Sequence, residues 1–456
     1  MRLSRNRTEI AMAMVALFLC FSMTVDAYGA LNAVGPTDPI NGFPMWYRDR
    51  AVISPAGSLT LEPCMDTNGL CLLDPAVDLP NPAAAVSFPD NFPEEIFWWT
   101  ADSTIVLPRV ANRAQRALLI LALEGAFGGG PVLPGDQVTF GRVRIRIDTP
   151  VAGDYTVIHP YGTETFVNVP AGRRAINMTR DIGIGGPGDF TGALGSDIGP
   201  FLTWDPITDA PAGYVGDPGV EHVVTGSPTG NNFFEITGPA GANLDGAGGN
   251  VVQSNLFVVS GKLATRFGVT VNRATYTRDT AGATTAEVFA SSGLGQTIAA
   301  TVGAASAPML EAPAGTGKYY ARFGAGTIGT PAVPDVTVTN SEINQGVDRP
   351  DTVVTEPLVD VVTVANAQYQ PAAPAGAPGS LLVNATSSDG LPGAAVVLTV
   401  RNPPLDPLPT ISADLFNTDV LIPGFAFPSP HLILRSSQGG VYNANLPIVD
   451  PAPVAP

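Results

Sequence analysis

Glu94 and Glu95 lie just before Trp98 and Trp99. Paired carboxylates can act as acid and base, and flat aromatic rings can stack on sugars. The cluster therefore admits a carbohydrate site with Glu95, Trp98 and Trp99 as its ligand-binding residues. Neighbouring residues of a strand point to opposite faces, so only one of the two carboxylates could serve a given site. The other reading is a tryptophan core beneath an exposed edge. Asp66-Thr67-Asn68-Gly69 and Asn243-Leu244-Asp245-Gly246 resemble fragments of calcium loops. They offer hard oxygen ligands before a turn glycine but lack the bidentate glutamate. Asp66, Asn68 and Asp245 are the weak Ca²⁺ candidates, and Asx turns explain them without metal. No other cofactor is expected. Arg142, Arg144 and Arg146 line one face of a strand. They could dock an acidic partner or pair with carboxylates on neighbouring strands.

Three histidines, His159, His222 and His431, lie far apart, and none sits in an H-E-x-x-H helix. Glu221-His222 is the best ligand-like pair, and it reads equally as a loop histidine beside a carboxylate. No G-x-S-x-G elbow, Walker loop or dinucleotide fingerprint occurs, and the Gly183 to Gly188 run adjoins no helix. No catalytic residue is named, and the chain reads as non-enzymatic.

The N-terminus reads as an export signal. Arg2, Arg5 and Arg7 precede an uncharged apolar stretch from Ile10 to Val25. Val25-Asp26-Ala27 predicts cleavage after Ala27, hence a secreted, extracellular or cell-surface protein. A lipoprotein reading through Cys20 lacks the small residue expected before it. Ala117 to Leu123 is the best later apolar run, and Glu124 ends it far short of the roughly 20 residues a spanning helix needs. The mature chain then has no transmembrane segment. It keeps Cys64 and Cys71, and an oxidising compartment predicts a disulfide closing the Met65 to Leu70 loop. A two-cysteine metal site would lack nearby histidines. Net charge is −17, which disfavours nucleic acid and anionic membranes. The expected partners are other surface or extracellular proteins or glycans; oligomeric state is open.

The elements that must position these residues are mostly strands. The 50 glycines and 44 prolines suit many turns between short strands. Ser58 to Glu62, Ile96 to Trp99, Asn232 to Thr237 and Leu256 to Ser260 read as strands. Val138 and Phe140, then Val143, Ile145 and Ile147, alternate with a change of phase that predicts a bulge at Gly141. Asn112 to Phe127 reads as the one short helix of the N-terminal region, capped by Asn112 and stopped by Gly128-Gly129-Gly130-Pro131. Its middle is apolar almost all round, which predicts burial. Ala152 to Val157 resembles the turn and strand of a tyrosine corner. Residues 28–130 form a Trp-rich, disulfide-containing region, and 131–263 a β-rich domain with long Gly/Pro loops.

The last two hundred residues repeat. Val269-Thr270-Val271, Ala274 and Tyr276 return as Val362-Thr363-Val364, Ala367 and Tyr369. Ser291-Ser292-Gly293 returns as Ser387-Ser388-Asp389-Gly390, and Thr301-Val302 as Thr399-Val400. Late aromatic strands follow, Lys318 to Phe323 and Asp414-Leu415-Phe416. A period of about 100 residues built of short strands is the size of one β-sandwich. The expected units are 264–352 and 353–456, joined stiffly end to end. On the Val-Thr-Val opening, the Ala385 to Asp389 run and the late aromatic strand, residues 264–456 resemble the tandem immunoglobulin-like modules of bacterial secreted and cell-surface proteins. The resemblance implies a fold and no site residues. Residues 28–263 resemble only uncharacterised secreted proteins. The expected whole is all-β, with several sandwich domains in tandem, acting as a surface binding, adhesive or structural protein with the repeats as stalk or docking modules. The alternative is a carbohydrate-binding or carbohydrate-active secreted protein.

Overall fold

The structure is a computed structural model. It describes residues 31–50, 58–326, 328, 333–344, 347–348, 351–371, 379–391, 398–401, 411–413, 420–425 and 431–445. The expected export signal, the Asp414 to Phe416 strand and the C-terminal tail lie outside them. The described architecture is all-β, with discrete, almost wholly antiparallel sheets and a single short helix. The chain divides into two compact units between Ala264 and Thr265.

The first unit is built on a ten-stranded sheet. Its long strands are Glu95–Val110, Arg113–Phe127 and Gln137–Thr149, with Gly172–Ile182 at the edge beyond Gln137–Thr149 and Leu256–Leu263 on the other side of Glu95–Val110. A four-stranded sheet contains Val251–Ser254, Phe234–Thr237, Gly153–His159 and Gly162–Val169. Register puts Trp99, Ala101, Ile105, Leu119, Leu121, Val143, Ile145 and Ile147 on one face of the large sheet. They join Tyr155, Val157, Phe234 and Ile236 in one buried core. Tyr155 donates to the Val151 carbonyl at 2.7 Å, the hydrogen bond of a tyrosine corner.

The helix expected at Asn112 to Phe127 is instead the strand Arg113–Phe127. Ala111 and Asn112 have φ of 49° and 64°, and Val110 pairs with Arg113. That is a two-residue hairpin turn of the I′ kind, whose twist matches its strands. Asn112 tolerates the left-handed conformation, so it turns the chain rather than capping a helix. The run is apolar on both sides because both faces of its C-terminal half, Leu121 to Gly125, are buried. The actual helix is Pro75–Asp78, where Asp74 accepts from the Ala76 amide at 2.9 Å.

No bulge occurs at Gly141 against the neighbouring strands: Leu123 and Ile182 both face it in register. Val138 and Phe140 point to one side, Val143, Ile145 and Ile147 to the other, and all five are buried. Double-sided burial, not a slip, produced the apparent change of phase. Glycine is needed at 141 because a Cβ there would lie 2.4 Å from Ser196 Oγ.

The second unit holds two sets of strands. In the first, Lys318–Phe323, Thr284–Ser291 and Thr270–Arg278 lie side by side in one sheet. Ala305–Pro308, Ile298–Val302, Val336–Asn340 and Thr352–Glu356 follow one another in a second. In the other set the orders are Val420–Phe425, Gly379–Ser387, Val362–Gln370, and Ile411–Ala413, Leu398–Arg401, His431–Arg435, Val441–Asn445. Each set has its own buried core. Thr352–Glu356 pairs with Val336–Asn340, and Val359–Asp360 pairs parallel with Thr270–Arg278. The first set therefore extends to Asp360 rather than ending at Thr352.

The two sets interlock through Ser387-Ser388-Asp389. Tyr276 Oη donates to Asp389 Oδ2 at 2.9 Å, and Arg278 Nε lies 3.7 Å from Asp389 Oδ1, with side-chain exposures of only 4% and 2%. Ser388 Oγ donates to the Tyr276 carbonyl at 2.6 Å. The Arg278 amide donates to the Ser388 carbonyl, and the Gly390 amide to the Arg278 carbonyl, both at 2.8 Å. Asp360 accepts from Ser387 Oγ and, at 2.8 Å, from the Gly440 amide.

Candidate functional site

The expected aromatic site does not form. Trp98 and Trp99 are both fully buried. A register shift between Phe97 and Trp99 lets the adjacent rings enter separate parts of the core. Trp98 meets Phe43 and Tyr47, while Trp99 meets Tyr161 and Phe201 and donates to the Leu202 carbonyl at 2.9 Å. Neither ring offers a face to a ligand. Only Glu95 of the expected trio is exposed.

Glu95 borders a hollow of about 790 Å³ lined by Met65, Leu72, Val77, Phe92, Phe97 and others. Close to Glu95 stands Glu124, 1% exposed, whose carboxyl feels the Glu95 carboxyl. Arg142 Nη1 reaches both Glu124 oxygens at 3.0 and 2.7 Å, and its Nε and Nη2 grip Asp181 at 2.7 and 2.9 Å. Three carboxyls thus surround one guanidinium. Burial pushes Glu124 up to about 8; Arg142 opposes the shift, and Glu95 and Asp181 add to it. Burial favours the neutral, protonated form of Glu124, close to the carboxyl of Glu95 that borders the hollow. Sequence reasoning missed Glu124 because it ends an apolar run and its partners lie on other strands.

Cys64 and Cys71 form a disulfide, with sulfurs 2.03 Å apart. Inside its loop Asp66 accepts from Tyr214 Oη at 2.6 Å and faces Lys262 Nζ at 2.7 Å. Asn68 donates to Tyr214 Oη and accepts from the Leu70 amide. The loop already holds a cation, the Lys262 ammonium, which is not a calcium environment. Asp245 accepts from the Ala247 and Gly249 amides at 2.8 Å, an Asx turn. Those amides hold its carboxyl below the usual range. Among the described residues no three His, Cys, Asp or Glu side chains converge to hold a metal ion. Replacing both cysteines by serine is expected to cost about 2–3 kcal/mol from the freed loop. Tryptophan-monitored urea unfolding measures it, and an unchanged midpoint would show that the loop is held by Asp66 and Lys262 alone.

The histidines are scattered. His159 is fully buried and accepts from the Tyr161 amide at 3.3 Å. His222 stacks on Trp204 with ring centroids 4.4 Å apart, and its Nε2 lies 4.0 Å from Asp209 rather than beside Glu221. The arginine stripe divides. Arg142 is paired with carboxylates, whereas Arg144 and Arg146 donate to Thr179 and Asn177.

The second unit carries a hollow of about 690 Å³ on the outer side of the Thr284–Ser291 strand, lined by Asn272, Glu287, Phe289, Lys318 and Tyr320 among others. Arg273 lies over Phe289, 4.1 Å from its centroid, and Tyr320 Oη donates to Glu287 at 3.2 Å. The sequence signal was present: Phe289 interrupts the core phase of Val288 and Ala290.

No family model matches this chain, no curated protein is similar to it, and no solved structure matches it. Among the described residues no helix is long and apolar enough to cross a membrane.

Proposed function

We propose that this chain is a non-enzymatic, exported surface protein. Residues 265–456 form a stiff stalk or docking arm of two immunoglobulin-like modules, and residues 28–263 carry the specific binding surface. The observation that carries this reading is the interlock between Asp389 and the Tyr276–Arg278 strand, which ties the two strand sets without a free linker. The repeat reading draws on matched pairing. Both opening strands shift register at the same place, between Val271 and Arg273 and between Val364 and Asn366. Val302 pairs with Val336, and Val400 pairs with Leu434, at a constant offset of 98 residues. Short, buried and directly hydrogen-bonded joints make an arm that transmits position rather than swivelling.

Protease shaving of intact producing cells tests the placement. Fragments of both halves are expected in the supernatant, with full-length protein lost from the cells. Full protection inside the cell, or intact protein found only in the medium, would overturn the surface assignment.

The alternative, a carbohydrate-active protein, retains one supporting observation: the carboxyl of Glu95 at the edge of a hollow, with the burial-shifted Glu124 close by. It loses the tryptophan platform. Hydrolysis of a polysaccharide panel, abolished by Glu95→Gln, would favour it over the stalk reading.

A further inference from the structure

The outer face of the large sheet in the first unit is cationic on a protein of net charge −17. Register places Arg144 beside Ile120 and Arg146 beside Leu118, with Arg116 on the same side of the Leu118 strand. Arg173 and Arg174 enter from the start of the next strand. Arg116, Arg146, Arg173 and Arg174 line one small hollow with Leu118 and Asp148. Among the described residues none of these five guanidiniums is ion-paired with a carboxylate. Arg144 Nε donates to Thr179 Oγ1 at 3.1 Å and Arg146 Nε to Asn177 Oδ1 at 3.3 Å. Neutral partners orient these two side chains without neutralising them.

The nearby carboxylates are otherwise engaged. Asp148, 7% exposed, accepts from the Arg116 and Arg174 amides at 3.3 and 2.7 Å. Glu124 and Asp181 are held by Arg142. Asp102 is half-buried, and burial raises its carboxyl, leaving it only partly charged near neutrality. Burial, then repulsion from Arg142 and Arg146, holds Arg144 below its ordinary value. Crowded like charges of this kind are relieved by a bound anion.

We propose that this face, centred on Arg116, Arg144, Arg146, Arg173 and Arg174, binds an acidic polysaccharide. A guanidinium fork matches carboxylate and sulfate oxygens in a planar, bidentate way. Successive arginines on one strand face repeat at about 6.7 Å, which suits an extended polymer with regularly spaced anions. Nucleic acid fits poorly, because no aromatic ring flanks Arg144 or Arg146 to stack on bases. An acidic peptide gains its affinity by adding a strand to an open edge. The strands that carry Arg116, Arg144 and Arg146 are already paired on both sides, and only Gly172–Ile182, with Arg173 and Arg174 at its start, is an edge. A stiff sugar chain also loses less freedom on binding than a peptide does. The inference deepens, and rests on, the reading of residues 28–263 as the binding part. Cell-surface placement is tested separately by shaving, so each can fail alone.

The test is affinity electrophoresis of the full mature chain in gels containing polygalacturonate, chondroitin sulfate or neutral dextran. Retardation is expected in the two acidic gels and not in dextran, and it should vanish by about 0.5 M NaCl. Arg146→Gln with Arg173→Gln is expected to weaken it about tenfold or more. Arg113→Gln removes one charge at the hairpin tip, on the alternate face, and is expected to change it by less than about twofold. Should the double variant unfold by circular dichroism, exposed Arg173→Gln alone replaces it, with a smaller loss of the same sign. Absence of retardation in both acidic gels would overturn the proposal. So would equal retardation of the wild type and the variant, or competition by polyglutamate as strong as that by polygalacturonate.

Discussion

Asp389→Ala is expected to destabilise the second unit by about 3–5 kcal/mol, the cost of removing one member of a buried ion pair. Arg278 is 6% exposed and Asp389 2% exposed, so water cannot replace the lost carboxylate. The Tyr276 hydroxyl loses its acceptor at the same time. Asp389→Asn keeps the shape and an acceptor oxygen for Tyr276, and is expected to cost less. The chain allows a clean readout. Its four tryptophans, at 46, 98, 99 and 204, all precede Thr265. Tryptophan fluorescence therefore follows the first unit, and amide exchange in residues 265–456 follows the second. The variant should leave the fluorescence transition in place and accelerate exchange at Arg278 and Gly390, whose amides close the joint. Unchanged exchange at those two amides would mean that Asp389 does not hold the joint. The stiff-arm reading would then lose its main support.

Which features could be read from the sequence follows from how local their causes are. Cys64 and Cys71 were legible because the compartment, the count and the short loop all point one way. The strand at Phe234–Thr237 was legible because one face is buried and the other is less so, and apolar residues alternate. Arg113–Phe127 was not legible. Burial on both faces erases the alternation, and an asparagine suits a I′ turn as well as a helix cap. Gly141 misled for the same reason. Trp98 and Trp99 suggested a platform because a register shift, invisible in sequence, turns both rings inward. The Ser387-Ser388-Asp389 run was visible as a repeated motif. Its role as the interlock depends on Tyr276 and Arg278, more than a hundred residues earlier. Glu124 had no local signal at all, since its partner Arg142 arrives from the Gln137–Thr149 strand.

The first unit is expected to gain stability as pH falls from about 8 to about 5, against the usual loss on acidification. Three carboxyls set the direction. Burial pushes Asp49 up to about 6 despite hydrogen bonds from the Leu59 and Phe201 amides. Burial pushes Asp102 up to about 7 against the pull of Arg144, and one of its oxygens is buried without a hydrogen-bond partner among the described residues. Burial pushes Glu124 up to about 8, with Glu95 beside it. Each binds its proton more tightly in the fold than in the unfolded chain, where a carboxyl titrates near about 4. Their contribution is fully present below that value and is lost as pH rises through about 6, 7 and 8 in turn. Across the window each group alters stability by on the order of 1 kcal/mol per pH unit. The opposite trend begins lower. His159 and Arg180 hold Glu164 below its ordinary value, as backbone amides do Asp245, and these stabilising charges are lost only on further acidification. Urea unfolding followed by tryptophan fluorescence at pH 5, 6, 7 and 8 measures the slope for this unit alone. Glu124→Gln removes one titrating group while keeping a neutral acceptor for Arg142, so its stability should vary less with pH, most clearly between 7 and 8. A wild-type stability that rises from pH 5 to 8 would show that Arg142 keeps Glu124 ionised. Glu124 would then have no proton to give, and the acid–base capacity beside the hollow would go with it.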